Sequence, residues 1–332
     1  MEGGTNIDEI TSAAYHDDRF FFKHSGFFEY YCYIWPYYRK QPDLLLQFII
    51  NGLITGLLYS LLAIGFALVY NTTHIFHIAA AAIYVFAAYM FWWLAVKCGL
   101  PLLLAAGFAL VLTMGLSLVA EVGVYRPLRK KKSSLNAIMI ASIGLMTIIV
   151  NVIAMFFGNE TKVVENAILK TYQFSGLIIT TPQLYQIIVA VVAISAFLLV
   201  LDRTQFGLKL RALSADETLF ETLGYNKQRT FTGVFLLSGL FIGLASCATV
   251  YDVGLDPNMG MTVLINAMVA MIIGGVGRYG TCLVGGLLLG VLQSLTVYGF
   301  ASNWQNAITF AVLLIFLFVR PQGLFGYKQR AV

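Results

Sequence analysis

Residues 44–70 read LLLQFIINGLITGLLYSLLAIGFALVY, a stretch of 27 residues without a single Asp, Glu, Lys or Arg. A bilayer core about 30 Å thick is crossed by roughly 20 apolar residues in an α-helix. A helix pairs its own backbone amides, whereas irregular backbone would leave them unpaired in lipid. The stretch therefore predicts a membrane-spanning helix.

The composition of the whole chain agrees with this prediction. Of its 332 residues, 59% are hydrophobic and 11% are charged, and the mean hydropathy is +0.80. An average soluble domain has roughly 45–50% apolar and about 25% charged residues. Disordered chains are poor in apolar residues. Ordinary soluble enzymes and disordered proteins are thus excluded, and an integral membrane protein is left.

Eight further apolar runs follow the first. Together they predict an all-α, polytopic integral membrane helical bundle with eight or nine transmembrane helices, because the seventh run is short, glycine-flanked and able to break or re-enter. The nine runs are Leu44–Tyr70, Ile78–Val96, Leu100–Val122, Ala137–Phe157, Tyr185–Leu201, Phe231–Val250, Met261–Val276, Leu283–Phe300 and Ala307–Val319.

Basic residues are concentrated in alternate loops. Fourteen Lys and Arg fall on one side, most of them in residues 125–134 and 202–230, whereas the opposite loops hold only Lys97, Lys162 and Lys170. Short cytoplasmic loops carry the excess of Lys and Arg. We therefore predict that the loop 202–230 and the C-terminus are cytoplasmic.

Residues 1–43 precede the membrane domain, 44–332, and are rich in aromatics. Between Phe20 and Tyr38 aromatic side chains alternate with charged ones, which favours the lipid headgroup region. The segment lacks the features of a signal peptide. We predict an interfacial extension, with a disordered one as the alternative; nine crossings would place it outside the cell and eight inside.

The hydrophilic loop 202–230 predicts a short helix. Ser214 and Glu217 have the spacing of a capping box, so we expect a helix over Ala215–Leu223. Gly224 is placed to end it in a left-handed conformation. An apolar face of Leu219, Phe220 and Leu223 would lie away from Asp216, Glu217 and Glu221. This face would contact a partner protein, the chain's own bundle or lipid.

Polar groups within the apolar runs are candidates for a solute path, because such groups are costly in lipid. Those at the ends of the first two runs could instead reach the membrane interface. A deeper asparagine in the seventh run would face another helix or an aqueous cavity, and the glycines after it favour a bend or gate. The candidates are Asn71, Thr73, His77, Asn266, Gly274, Gly275 and Gly277.

Two further patterns concern packing. Pairs of glycines four residues apart predict close helix contacts, within the chain or between subunits; they are Gly52 and Gly56, Gly239 and Gly243, and Gly286 and Gly290. Glu121 is predicted to pair with a loop arginine such as Arg126.

The chain carries no catalytic or metal-binding motif. Its four cysteines share no C-x-x-C spacing, and it has neither a G-x-x-x-x-G-K-[ST] loop nor H-E-x-x-H. We predict no catalysis, no bound metal, no cofactor in this chain and no nucleic-acid partner.

Five motifs in order resemble the permease subunits of bacterial branched-chain amino acid ABC transporters, a family that includes urea and amide importers. The resemblance runs from about Leu45 to the end. Its motifs are Asn51–Tyr70 (N-G-L-x-x-G), Glu121 with Tyr125–Arg129 (E-R-x-x-Y-R-P-L-R, with Val122 for the first Arg), Phe206–Gly224, the glycine tract Gly274–Gly290, and Arg320–Gly326 (R-P-Q-G-L-F-G).

The resemblance implies a permease subunit of an ATP-driven importer in the bacterial inner membrane, carrying branched-chain amino acids, or urea or an amide. It implies as partners a second homologous permease, two cytoplasmic ATPases that bind ATP and Mg, and an extracytoplasmic solute-binding protein. It also implies an ATPase-coupling helix formed by Ser214, Asp216, Glu217, Leu219, Phe220, Leu223 and Gly224.

The sequence departs from the family at two places. Ala80 and Ala81 stand where relatives have His and Gly, and Arg278–Thr281 replaces S-x-x-G, so the solute is left open. A self-sufficient channel or secondary carrier is the alternative class. Ion-coupled carriers usually place an ionisable residue at the membrane midplane. None stands well inside a run, which favours the importer.

Overall fold

The computed structural model describes residues 42–164, 171–174, 177–299, 302–320 and 323–325. The predicted interfacial extension, 1–43, lies outside these residues, except for Pro42 and Asp43, which begin the first helix. Residues from 46 onward form one compact unit.

The described chain is mostly helical. Its helices are α1 Pro42–Thr73, α2 Ala80–Trp92, α3 Leu102–Ala120, α4 Arg126–Lys130, α5 Leu135–Phe157, α6 Thr181–Arg203, α7 Gln205–Ala215, α8 Glu217–Thr222, α9 Lys227–Val253, α10 Met259–Gly274, α11 Thr281–Gly299 and α12 Gln305–Val319. Wider π-helical turns continue α2 over Trp93–Lys97 and α3 over Glu121–Tyr125, and Ser302–Trp304 is a 3-10 turn.

A small antiparallel hairpin joins α5 to α6. Its strands are β1, Thr171–Phe174, and β2, Leu177–Thr180, with Thr171 opposite Thr180. Thr180 then caps α6 in a reciprocal capping box with Gln183. This hairpin was not predicted, because its strands are only four residues long.

Eight helices in the described part are long and apolar enough to cross a membrane, which confirms the predicted all-α polytopic bundle. The seventh apolar run forms α10, which has 16 residues. At 1.5 Å per residue it is about 24 Å long, shorter than a bilayer core. It packs against α2, α11 and α12, so protein surrounds much of it.

Burial divides the membrane helices into an inner and an outer group. Most of α1, α2 and α9 is buried, whereas α3, α5, α6 and α12 expose most of their length. The exposed side chains of the outer group are largely Leu, Ile, Val and Phe. This is the surface that lipid tails would cover, since lipid is as apolar as these side chains.

The two ends of the bundle carry different loops. At one end, the Ser214 hydroxyl and the Gly277 amide donate hydrogen bonds to Asn71. Arg129 stacks there on Phe231, which packs against Leu213 of α7. We call this the basic end. At the other end, the backbones of Lys162 and Leu255 pair, and the Gln47 amide exchanges two hydrogen bonds with the backbone of Ile178.

The three glycine pairs all make contacts within the chain. A Cβ added at Gly52 would lie 2.9 Å from the Gly290 carbonyl oxygen, and one at Gly56 would lie 2.8 Å from Leu287 Cα. The pair on α9 instead meets the side chains of Ser117 and Leu110 on α3. The intrachain interpretation is therefore confirmed for these contacts: glycine lets α1 approach the backbone of α11, and it makes room on α9 for side chains of α3.

The α1–α11 contact gives a stability prediction. Gly56→Ala should lower the free energy of unfolding by about 1–3 kcal/mol, because overpacking against backbone forces the helices apart. The matched control is Gly144→Ala on α5, where no atom lies within 4 Å of an added Cβ. Thermal unfolding in mild detergent measures both, and equal midpoints would contradict the prediction.

Candidate functional site

A short helix is present where the coupling helix was predicted, but it begins at a different residue. Asp216 caps α8: its Oδ1 accepts hydrogen bonds from the backbone N–H groups of Thr218 at 2.8 Å and Leu219 at 3.0 Å. Ser214 instead lies inside α7, and its hydroxyl donates to the Asn71 carbonyl at 2.9 Å. The prediction of a Ser214 cap and a helix over Ala215–Leu223 was wrong.

The reason is that two good N-cap residues lie two positions apart. Ser214 satisfies the spacing of a capping box, but Asp216 has the extended backbone that a cap requires and binds two free amides at once. Glu217 therefore becomes the first residue of α8. Gly224 follows with a φ of +82°, so its predicted left-handed conformation is confirmed.

The apolar face of α8 is divided between two directions. Phe220 is 1% exposed, whereas Leu219 is 58% and Leu223 63% exposed. The leucines are four residues apart and share a face, while Phe220 is turned by about 100° from Leu219. The prediction that all three share one docking face was therefore wrong for Phe220.

Phe220 attaches α8 to the bundle. It packs with Leu213 of α7 and Phe231 of α9 and stacks on Tyr225 at 5.2 Å between ring centroids. Lys227 at the start of α9 forms ion pairs with Glu217 at 3.0 Å and Glu221 at 2.8 Å. The helix is thus held on one side and presents Leu219 and Leu223 on the other.

Two of the predicted path residues line a cavity at the basic end. Asn71 and Gly277 belong to its wall, and the Gly277 amide donates to Asn71 Oδ1 at 3.2 Å. The cavity is open and has a volume of about 1030 Å³. Its other described lining residues are His74, Leu198, Leu201, Asp202, Arg211, Ser214, Ala215, Val276, Arg278, Tyr279, Gly280 and Thr281.

The predicted glycine bend is a turn between α10 and α11. Gly275 has a φ of +112° and Gly277 one of +96°, which only glycine adopts readily. Gly274 O accepts a hydrogen bond from the Phe325 amide, and Ile273 O accepts one from Leu324. Leu324 and Phe325 are therefore bound to the turn. That the turn acts as a gate stays a prediction.

Thr73 is the last residue of α1, and His77 lies in the non-helical segment between α1 and α2; neither lines the cavity. Thr73 Oγ1 accepts from the Ile75 amide at 3.3 Å. His77 is fully buried, and its Nδ1 lies 2.8 Å from the Tyr125 hydroxyl. That hydroxyl lies 2.7 Å from Ser142 Oγ, which accepts from the Ala79 amide. In the structure these residues pair the backbone of the segment.

Asn266 faces other helices, one of the two predicted possibilities. Its Nδ2 donates to the Tyr59 hydroxyl at 3.2 Å, and its Oδ1 accepts from Gln293 Nε2 at 3.2 Å. Gln293 also accepts from Tyr59 at 2.9 Å and donates to Thr309 at 2.6 Å. This buried network joins α1, α10, α11 and α12.

The two departures from the family pattern are accommodated by packing. Ala80 and Ala81 lie beside the start of α10, where a Cβ on Gly260 would be 2.5 Å from the Ala81 carbonyl. The small residues Ala80, Ala81 and Gly260 allow α2 and α10 to approach this closely. In the glycine turn, Tyr279 is buried with its ring edge-on to Phe197 at 6.0 Å.

Glu121 pairs with a loop arginine, as predicted, but the arginine is Arg129 and not Arg126. Its carboxylate accepts from Arg129 Nη2 and from Gln228 Nε2 at 3.2 Å. Local spacing does not distinguish the two arginines, because the π-helical turn Glu121–Tyr125 departs from the 100° per residue of an α-helix.

The divided face of α8 predicts a labelling pattern. Cysteine at Leu219 or Leu223 should react with a membrane-impermeant maleimide, and cysteine at Phe220 should react only after denaturation. The background carries serine at Cys32 and at the exposed Cys98, while Cys247 and Cys282 are buried. Labelling in inside-out vesicles but not in intact cells is expected, and the reverse would overturn the predicted orientation.

The network around Asn266 predicts a stability loss. Gln293→Leu should cost about 1–3 kcal/mol, because it leaves buried polar groups without partners. The control is Asn151→Leu, which removes an exposed side chain on α5 that bonds only its own helix. Thermal unfolding should separate the two variants, and equal effects would contradict a structural role for the network.

Comparison with known proteins finds a family match and similar permease proteins. A family model described as branched-chain amino acid transport system / permease component matches residues 48–317. The high-affinity branched-chain amino acid transport system permease protein BraD of Pseudomonas aeruginosa is 26% identical over 298 residues, covering 86% of this chain and 96% of BraD. The corresponding LivH of Escherichia coli is 26% identical over 299 residues with the same coverage.

A third relative matches the same share of this chain. The probable branched-chain amino acid transport permease protein LivH of Methanocaldococcus jannaschii is 25% identical over 301 residues, covering 86% of this chain and 94% of LivH. Because the family model spans most of the sequence, this chain belongs to the family of branched-chain amino acid transport system permease components.

Proposed function

We propose that this chain imports branched-chain amino acids as one half of the membrane pathway of an ATP-driven transporter, with α8 receiving the movement of a cytoplasmic ATPase. The observation that carries the proposal is the exposed pair formed by Leu219 on α8 and Leu223 directly after it, at a helix whose Phe220 packs into the bundle.

The contacts that hold α8 against the bundle suit a helix that transmits movement. A helix of six residues is unstable in isolation, so the Asp216 cap, the Lys227 ion pairs and Phe220 hold it in place. Covering each exposed leucine in a partner's groove would contribute about 1.5–3 kcal/mol. A helix held in this way, with two exposed leucines, is therefore suited to transmit the movement of a partner protein.

The energy source lies in other subunits under this proposal. Two cytoplasmic ATPases bind ATP and Mg, a second homologous permease completes the pathway, and an extracytoplasmic binding protein delivers the solute. The chain is a multi-pass protein of the bacterial inner membrane with its basic end in the cytoplasm. The clustering of Lys and Arg at that end supports this orientation.

The cavity at the basic end supports a zwitterionic solute with an apolar side chain. Its wall combines charges of both signs, on Asp202, Arg211 and Arg278, with the apolar side chains of Leu198, Leu201 and Val276. An ammonium and a carboxylate would find opposite charges there, and an aliphatic side chain would find apolar surface. Urea and small amides carry no charge for these groups to recognise, so they remain the second choice.

The test compares two substitutions at one position in the assembled transporter in proteoliposomes. Leu219→Asp should leave the chain inserted but lower ATP-driven leucine uptake by about tenfold or more, since it places a charge in an apolar contact. Leu219→Met keeps the contact apolar and should keep uptake. Affinity purification should recover the ATPase with the methionine variant and lose it with the aspartate variant.

Two results would contradict the proposal. Normal uptake by Leu219→Asp would show that α8 does not meet the ATPase. Uptake of urea but not leucine by the unaltered transporter would keep the ATP-driven mechanism and overturn the solute.

A further inference from the structure

A buried ion pair lies directly behind α8. Glu121 is fully buried at the end of α3, where the π-helical turn Glu121–Tyr125 leads into α4. Arg129 of α4 donates to Glu121 Oε1, and Gln228 of α9 donates to the same oxygen at 3.2 Å. The carboxylate therefore joins three helices at one atom.

The arginine of this pair also contacts the support of α8. Its guanidinium carbon lies 4.4 Å above the centre of the Phe231 ring, a stacking geometry in which the planar cation meets the electron-rich face. Phe231 packs in turn against Phe220 and Leu213. A continuous chain of contacts thus runs from α8 through Phe220, Phe231 and Arg129 to Glu121.

The start of α9 lies between α8 and the ion pair. Lys227 reaches outward to Glu217 and Glu221 of α8, whereas Gln228 and Phe231 reach inward to Glu121 and Arg129. A displacement of α8 would therefore pull on the first turn of α9 and, through it, on the end of α3.

The pair is incompletely satisfied in this arrangement. Glu121 Oε2, Arg129 Nε and Arg129 Nη1 are buried and have no hydrogen-bond partner among the described residues. A buried charge that loses its partner is strongly destabilising, so the two side chains must move together. The free donors and acceptor leave room for a second set of hydrogen bonds when the helices shift.

We propose that Glu121 and Arg129 are a positioning pair that transmits the movement of α8 to α3. The proposal rests on the proposed function, in which α8 meets the ATPase. The pair touches neither solute nor nucleotide and acts by holding Arg129 over Phe231. Its loss should separate ATP hydrolysis from transport, which a merely structural role would not do.

The experiment measures leucine transported per ATP hydrolysed by the assembled transporter in proteoliposomes. Glu121→Gln and Arg129→Gln should each lower this ratio about tenfold, within the range for residues that couple two sites. The double variant should lower it no further, because both changes break one link. The thermal midpoint should fall in each single variant, because a charge is left buried without its partner, and should recover in the double variant while the ratio stays low. ATPase recovery should stay near that of the unaltered protein.

The matched control is Lys130→Gln, which removes the exposed positive charge next to Arg129 on α4. Its ratio of leucine to ATP should be unchanged, since exposed charges contribute little. A tenfold fall with this variant as well would overturn the proposal, because any lost charge at the basic end would then have the same effect.

Phe231→Leu keeps the proposal testable if the charge variants fold poorly. It preserves apolar packing on Phe220 and removes only the ring beneath Arg129, so the ratio should still fall. An unchanged ratio in Phe231→Leu or in Glu121→Gln would overturn the relay while leaving ATP-driven uptake intact. An unaltered transporter that never couples hydrolysis to uptake would instead overturn the proposed function.

Discussion

Backbone amides inside an apolar bundle have no water to bond, and this constraint governs the whole structure. Long helices meet it within themselves. The exception is the non-helical segment between α1 and α2, where Thr73 binds the Ile75 amide and Ser142 binds the Ala79 amide. Buried His77 and Tyr125 hold that serine from the other side. Thr73 and His77, which were predicted to belong to a solute path, therefore help to pair the backbone of this segment, whereas Asn71 lines the cavity at the basic end.

Apolar side chains contact lipid as favourably as they contact neighbouring helices, so they do not by themselves hold the helices together, and other means of association are needed. Glycine supplies one, because Gly52 and Gly56 bring α1 to backbone distance from α11. Hydrogen bonds supply the other: Asn266 and Gln293 join four helices in one buried network. Both devices use the few residues in the runs that are small or polar.

At the basic end, charged side chains take part in holding the helices together. α8 is too short to be stable alone, and it is held by one aromatic side chain, one aspartate cap and one lysine. Behind it, the buried Glu121 and Arg129 connect the same support to α3. Under the proposed function, the helix that meets the ATPase is thus connected through Phe231 and Arg129 to α3.

The sequence by itself determined the class of protein, the position of nearly every membrane helix, the family and the left-handed turn at Gly224. These follow from composition, run length and local spacing, which are properties of neighbouring residues. Only the tertiary structure decided that Asp216 and not Ser214 caps α8, that Phe220 turns inward while Leu219 and Leu223 stay exposed, and that Glu121 pairs with Arg129. Each depends on which distant helix lies alongside: Ser214 had Asn71 to bind, Phe220 had Phe231, and Arg129 had a ring on which to stack.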